Sequence, residues 1–383
     1  MSSFSSAYRA LITSPDVLKT CQSFRGLPDL LCYLKDWFQV PSVSDQDLLG
    51  KLNLHNQQVL DVSHEQLRGY WLPCRYDSGQ RRLHWCLPLG PATEPFQDET
   101  ISRYRQQSLV NLVLQPKTSL DALLSAEPPS GSCLPCGFIF HLSRCGSTLL
   151  SGCAVQLDAV QILSESPLLT EVLLDVGLTP VQQQQLLRQL VDLQAAPFPG
   201  RPHLVIKWNA WDILRWDVIQ KAFPRVPAVL LVRNPAEILA AHQKMAGRHM
   251  SGDPRMSTFD PVFAPIAGFL DFRMTVLHRL MSAMYEVLSN QNNQAQLVDY
   301  AQLNAGTIAQ QLQRWVGPIE APGLERIARR LQVNAKHPDQ VFVPDVKQKQ
   351  GAFADEQRAL IDHRLMPVYE SLHRIQSWFP TLN

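Results

Sequence analysis

The run His141-Leu142-Ser143-Arg144-Cys145-Gly146-Ser147-Thr148-Leu149-Leu150 gathers the residue types that hold an anion. Gly146 permits a tight turn and a close backbone approach, Ser147 and Thr148 bring hydroxyl donors, and Arg144 brings a formal positive charge. The apolar stretch that follows begins a helix, whose first amides add partial positive charge, so the composite suits a phosphate. A helix cap without a ligand would use the same hydroxyls. On the nucleotide-binding pattern G-x-x-x-x-G-K-[ST], His141 stands at the first Gly and Ser147 at the Lys. A nucleoside-triphosphate enzyme needs that Lys on its β and γ phosphates, which argues against a kinase or ATPase.

Two cations end apolar runs further along. Lys207 closes His203-Leu204-Val205-Ile206-Lys207 before Trp208, and Arg233 closes Ala228-Val229-Leu230-Leu231-Val232-Arg233. A buried strand delivers its last residue to the carboxyl edge of an α/β sheet, where ligands bind, and a guanidinium there can fork onto a phosphate. Either cation could instead face water at a strand end. Cys133-Leu134-Pro135-Cys136 lacks a second ligand pair, Cys74 and Cys86 being isolated, so no zinc site is expected. All eight cysteines lie between Cys21 and Cys153, a poor layout for a disulfide framework, and they read as reduced thiols.

The elements that position these residues follow from periodicity. Short apolar runs at 137–142, 159–164, 203–208, 228–233 and 295–300 read as strands. Helical stretches at 148–157, 180–193, 210–222, 236–245 and 264–288 alternate with them, the signature of βαβ units and a parallel sheet. Ile308, Leu312, Trp315 and Val316 form one apolar helical face closed by Gly317. Residues 1–125 mix short helical and strand-like pieces with no motif that carries chemistry. The turn-forming stretch that follows is taken as a linker over 126–136, and 137–383 as one α/β domain.

The motifs together resemble the sulfotransferase superfamily. Arg144-Cys145-Gly146-Ser147-Thr148-Leu149 is similar to the R-S-G-[ST]-T-L loop that binds the 5′-phosphosulfate of 3′-phosphoadenosine 5′-phosphosulfate (PAPS). The stretch from Phe223-Pro224 through Arg233-Asn234-Pro235-Ala236-Glu237 resembles the strand and turn whose Arg binds the donor's 3′-phosphate. Many members carry a Ser eight residues later; Ala241 stands there, with His242 and Gln243 as its possible substitutes. The resemblance places Lys207 beside the bridging oxygen of the phosphosulfate, and Leu163-Ser164-Glu165-Ser166-Pro167 looks like the S-E-P segment whose Glu is often the base. Glu165 is thus the candidate base, with a helix-capping role as the alternative, and His141 and His242 in reserve. Asn209 occupies the place of the central-strand His of cytosolic members. Leu297 to Leu303 resembles the Y-E-D-L segment, and Lys336, His337, Lys347 and Lys349 lie where relatives close over the nucleotide, without the usual R-K-G-x-x-G-D-W block. The likeness spans about residues 136–335.

It implies a three-layer α/β/α fold with a central parallel sheet of P-loop NTPase-like architecture. It also implies in-line transfer of a sulfuryl group from PAPS to a hydroxyl or amine. Ser143, Arg144, Cys145, Gly146, Ser147, Thr148, Leu149 and Arg233 would bind the donor, and Glu165, Lys207 and Arg144 would act in the chemistry, with no metal. The acceptor would be a small molecule, carbohydrate or peptide. Trp208, Trp211 and Trp216 are candidates for an aromatic acceptor pocket or for core packing. Thirty-five Lys and Arg against 34 Asp and Glu leave no global field for nucleic acid. Neither a secretory signal nor a membrane span is visible, so a cytoplasmic location is expected. Two other readings stay open: an ATP-dependent P-loop phosphotransferase, and a non-catalytic nucleotide-binding module. The first needs Mg²⁺ and an Asp at a strand end, and no such Asp is read, the runs closing in Lys207-Trp208 and Arg233.

Overall fold

A computed structural model describes residues 4–126, 131–264, 266, 268–290, 294–334 and 351–378. The chain divides into two compact units, one of Met1–Leu134, Pro167–Asp175 and Val181–Gly200, the other of Pro135–Ser166, Val176–Pro180 and Arg201–Asn383.

The first unit opens with helices Phe4–Ile12, Pro15–Ser23, Leu27–Trp37 and Asp45–Gln57. A three-stranded antiparallel sheet follows, of β1 (Leu72–Asp77), β2 (Arg82–Cys86) and β3 (Lys117–Ser119), with β2 in the middle. Alternation along β2 buries Leu83 and Trp85. The indole N–H of Trp71 donates to the Ile12 carbonyl at 2.8 Å, and Tyr8 donates to Asn56 at 2.6 Å, so these two buried polar groups are satisfied internally. In the helix Pro180–Ala195 the glutamines are structural: Gln183 donates to the Val172 carbonyl, Gln185 to Leu124 and Gln189 to Ala126. Asp192 of the same helix accepts two hydrogen bonds from Arg68, at 2.7 and 2.9 Å, and one from the Cys133 amide at 2.8 Å.

The second unit is an α/β fold with a five-stranded parallel sheet flanked by helices, the class expected from the sequence. Its strands are β4 (Pro135–His141), β5 (Val160–Ser164), β6 (His203–Lys207), β7 (Ala228–Val232) and β8 (Ala295–Asp299), in the order β5-β6-β4-β7-β8. All five coincide with the apolar runs read from the sequence. Parallel strands covered on both faces need unbroken apolar runs, and every residue of β5 and β7 is buried. The ladder ends one residue short of the expected bound in four of the five strands, so Leu142, Trp208, Arg233 and Tyr300 follow the strands at the carboxyl edge of the sheet, while β5 ends at Ser164 as expected.

The core joins Ile139, Ile162, Val205, Val229 and Leu231 of the sheet to Leu150 and Cys153 of the helix Ser147–Ala154 and to Ile308, Leu312 and Trp315 of the helix Ala305–Val316. Gly137 makes room for this packing, because a Cβ there would lie 2.4 Å from the Trp315 ring. The stretch 210–222 is not one helix. Asn209 and Asp212 form a capping box that opens a 3-10 turn, Ala210–Arg215, and an α-helix, Trp216–Ala222, follows. The helix expected from 264 begins at Phe269, after Gly268 at φ +86°. The helix Asp355–Trp378 packs on Phe269–Ser289, with Arg364 donating to Asp271 and Thr275.

Candidate functional site

β4 turns at Leu142 into a loop with an unusual backbone. Ser143 and Arg144 both hold positive φ, at 65° and 56°, and Gly146 follows at 89°. Only Gly takes such angles without cost, so the two preceding residues need support. His141 supplies it: its Nδ1 accepts the Ser143 amide at 2.9 Å. Arg233 adds a second tie, donating from Nη1 to the Arg144 carbonyl at 3.3 Å. Gly146 caps the helix Ser147–Ala154 directly, and a side chain there would strike Leu303 at 2.5 Å and Tyr300 at 2.9 Å. The result is a loop whose backbone wraps the start of a helix, an arrangement that can receive an anion.

Glu165, the residue after β5, has the same kind of strained backbone, at φ 51°, with its amide donating to the Lys207 carbonyl at 2.6 Å. That tie aims its carboxylate at the end of β6. Lys207 Nζ lies 2.7 Å from Glu165 Oε1 and donates to Thr148 Oγ1 at 3.1 Å, and its side chain is 0% exposed. Thr148 thereby links the ammonium to the loop helix. On the other side, His141 Nε2 stands 3.4 Å from the same carboxylate oxygen. Burial by itself would raise the Glu165 carboxyl, but the Lys207 ammonium, and then His141, hold it well below the usual carboxylate range. Burial pushes the His141 imidazole down, so it is neutral, with Nδ1 accepting from Ser143 and the proton on Nε2.

Arg233, the residue after β7, is buried at 5% exposure. Glu237, one helical turn on, accepts from its Nε at 2.6 Å, and the guanidinium stacks over the Tyr300 ring at 4.0 Å. Asn234 caps the helix Pro235–Lys244 by accepting the Ala236 amide at 3.0 Å. Arg144 extends from the loop to donate to the Met245 carbonyl at 3.2 Å.

Of the residues singled out in the sequence, Arg144, Thr148, Glu165, Lys207 and Arg233 are joined by the contacts above, with His141 among them. Ser143 and Gly146 shape the loop backbone, Ser147 is buried at the helix start, and Leu149 packs on the core. Cys145 is fully buried, and burial pushes its thiol up to about 12, so it packs as an inert side chain. Ala241 is buried, Gln243 is exposed, and His242 is buried with Nδ1 accepting from Gly247 at 3.3 Å. Asn209 caps the 3-10 turn. Trp208 stacks on Phe140 and Trp216 meets the same ring edge-on, so both belong to an aromatic core. Trp211 instead lies beside His249, with ring centroids 5.5 Å apart. Lys336, His337, Lys347 and Lys349 lie outside the described residues.

One expectation needs correction. A strand does end in an Asp: β8 closes in Asp299. Its carboxylate accepts from Tyr369, sits 3.3 Å from His373 Nε2 and caps the following turn, and β8 is an edge strand two places from β4. Tyr300 and Leu303, from the Leu297 to Leu303 segment singled out in the sequence, close over Gly146, whereas His249 was missed. That histidine is 3% exposed, and burial, then the neighbouring His242 and His141, push it down to about 3, with Glu165 opposing. It belongs to no motif, and only the fold brings it near.

Among the described residues no His, Cys, Asp or Glu are grouped as metal ligands, and no helix is long and apolar enough to cross a membrane. No family model matches the chain, and no curated protein matches it. A solved structure titled as a sulfotransferase from Alicyclobacillus acidocaldarius is similar at 13% identity and a TM-score of 0.38, over 63% of this chain and 96% of that one.

Proposed function

We propose that the chain is a sulfotransferase that moves the sulfuryl group of PAPS to a hydroxyl or amine of a small-molecule, carbohydrate or peptide acceptor. The observation that carries the reading is Lys207, whose ammonium is fully buried between Thr148 of the loop helix and the Glu165 carboxylate. A buried cation at the mouth of an amide-rich loop suits an anion that develops charge during reaction. The loop from Ser143 to Leu149 would hold the 5′-phosphosulfate and Arg233 the 3′-phosphate. The acceptor oxygen or nitrogen would attack sulfur in line, the bond from sulfur to the bridging phosphate oxygen would break, and 3′-phosphoadenosine 5′-phosphate (PAP) would leave. Lys207 would neutralise the charge on that oxygen, aided by Arg144, and Glu165 would take the acceptor's proton.

A carboxylate paired with a buried ammonium as Glu165 is with Lys207 is a weak base. Movement of Lys207 toward the donor's bridging oxygen would remove the main influence that holds its proton affinity down. Donor binding would then activate the base. Calorimetry with PAP, against ATP with Mg²⁺, tests the reading: PAP binds and ATP does not. Binding of ATP alone would sink it. With PAP bound, Glu165→Gln slows transfer at least about a hundred-fold, the usual scale for a general base; transfer at the wild-type rate would remove Glu165 from that role.

A further inference from the structure

Asp299, which closes β8, serves two elements with one carboxylate. Its Oδ1 accepts the Ala301 amide at 2.8 Å and so caps the turn Tyr300–Gln302. Its Oδ2 faces the helix Asp355–Trp378 instead: it accepts the Tyr369 hydroxyl, and His373 Nε2 stands 3.3 Å away. Tyr369 and His373 lie one helical turn apart and meet edge to face, with ring centroids 4.8 Å apart, so each steadies the other. Burial alone would raise the Asp299 carboxyl, but His373, Tyr369 and the Ala301 amide hold it down, and it stays ionised. What the cap positions is Tyr300. Its ring presses on Gly146, where a Cβ would come within 2.9 Å, and carries the Arg233 guanidinium 4.0 Å above its centroid. The helix Asp355–Trp378 also packs on Pro235–Lys244, whose Glu237 holds the Nε of Arg233.

We propose that Tyr369 and His373 are positioning residues of the donor site, acting through Asp299 to hold the Tyr300 ring against Arg233 and Gly146. The inference rests on the reading of that site given above. A turn cap needs only one carboxylate oxygen. The other is engaged by two aromatic side chains, one of them 70 residues along the chain, so the turn beneath Arg233 is tied to a distant helix. With the Oδ2 partners removed, the carboxylate is free to rotate and the turn loosens. Arg233 then loses the ring face that fixes its guanidinium for a phosphate. Affinity for the donor nucleotide falls while the parallel sheet stays intact.

The test pairs amide hydrogen exchange with calorimetry of PAP on the full chain. Tyr369→Phe removes one hydroxyl. Without ligand it is expected to speed exchange of the Ala301 and Leu303 amides about ten-fold, the effect of one hydrogen bond to a charged group, with the amides of β4 and β7 unchanged. PAP then binds about five-fold more weakly, the scale of one cation–π contact. Tyr300→Leu weakens PAP as well, and adding Tyr369→Phe to it costs no further affinity, because the hydroxyl acts through the ring. Losses that add in the double variant overturn the proposal, and so does unchanged exchange at Ala301 and Leu303. His373→Leu strips the other partner from the same oxygen, is expected to give the same pattern, and decides the matter if Tyr369→Phe does not fold. If the wild-type chain binds no PAP, the donor reading itself fails, and exchange at Ala301 and Leu303 alone upholds or overturns the tie.

Discussion

Replacing Lys207 by Met tests the electrostatics at the centre of the candidate site without any ligand. The substitution keeps the length of the stem and removes the charge, leaving Glu165 with only neutral His141 3.4 Å away. Breaking a buried ion pair from one side costs about 3–5 kcal/mol. The Glu165 side chain is 21% exposed, so some solvation survives and about 2–4 kcal/mol is expected at pH 7.5. For a cooperative unit of this size that is a fall of about 5–15 °C in Tm.

The pH dependence separates this from a mere packing defect. In the wild type the depressed Glu165 carboxyl contributes stability that is present above its unfolded value, about 4.3, and lost as pH falls through its folded value. In the variant burial outweighs the remaining tie to His141 and the folded value rises above 4.3, so the new cost vanishes below about pH 4.3 and grows above it. The deficit relative to wild type should therefore narrow by about 1 kcal/mol or more between pH 7.5 and pH 5. Thermal melts by circular dichroism at the two pH values read this directly, and the double variant Lys207→Met/Glu165→Gln should recover most of the loss. A single variant that melts like wild type, a deficit independent of pH, or a double variant no better than the single would each refute the reasoning.

Gly146→Ala combines positive φ with contacts to Leu303 and Tyr300 and should lower stability by about 2 kcal/mol or more in denaturant melts, with PAP binding lost in calorimetry. Gly137→Ala drives a methyl into Trp315 and should cost about 3 kcal/mol, with recovery when Trp315→Leu is added. Arg233→Met should weaken PAP at least about ten-fold, or 1.4 kcal/mol, while AMP, which has no 3′-phosphate, changes less; equal losses for both nucleotides would detach Arg233 from the 3′-phosphate. Asp192→Ala frees Arg68 and the Cys133 amide and should destabilise the first unit by about 2–3 kcal/mol, read as a lower urea midpoint.

The parallel strands were legible because burial keeps their runs largely apolar, with every residue of β5 and β7 buried. The order β5-β6-β4-β7-β8 was not, since strand order depends on which crossovers pack, and single runs say nothing of that. In the first unit β1 holds Pro73 and exposed Arg75, and β3 has three residues, so neither offers enough alternation to read. The helix Asp355–Trp378 carries Pro367 in its interior, a signal that normally ends a helix, and its apolar face emerges only against Phe269–Ser289. His242 and Trp211 were noticed singly, but their shared neighbour His249 was not, because nothing in spacing links residues held together by ring contacts alone.

The loop poses the sharper question, because its hydroxyls and Gly146 also fit a plain helix cap. Backbone strain separates the two readings. Six described non-glycine residues have positive φ, and three of them, Ser143, Arg144 and Glu165, sit at the ends of β4 and β5 around Lys207. Each costs about 1–2 kcal/mol, and a helix cap requires none of it, since an ordinary Ser or Asn cap uses extended backbone. Such strain persists only where neighbours over-determine it. His141 holds Ser143, Arg233 holds the Arg144 carbonyl, and the Lys207 carbonyl holds the Glu165 amide. His141, which fails the nucleotide pattern where a Gly belongs, is therefore the residue that lets a loop of non-glycine residues take that shape. The same ties join three strand ends to the buried ammonium, so the strained backbone and the charge are one construction, better suited to an anionic ligand than to a helix start alone.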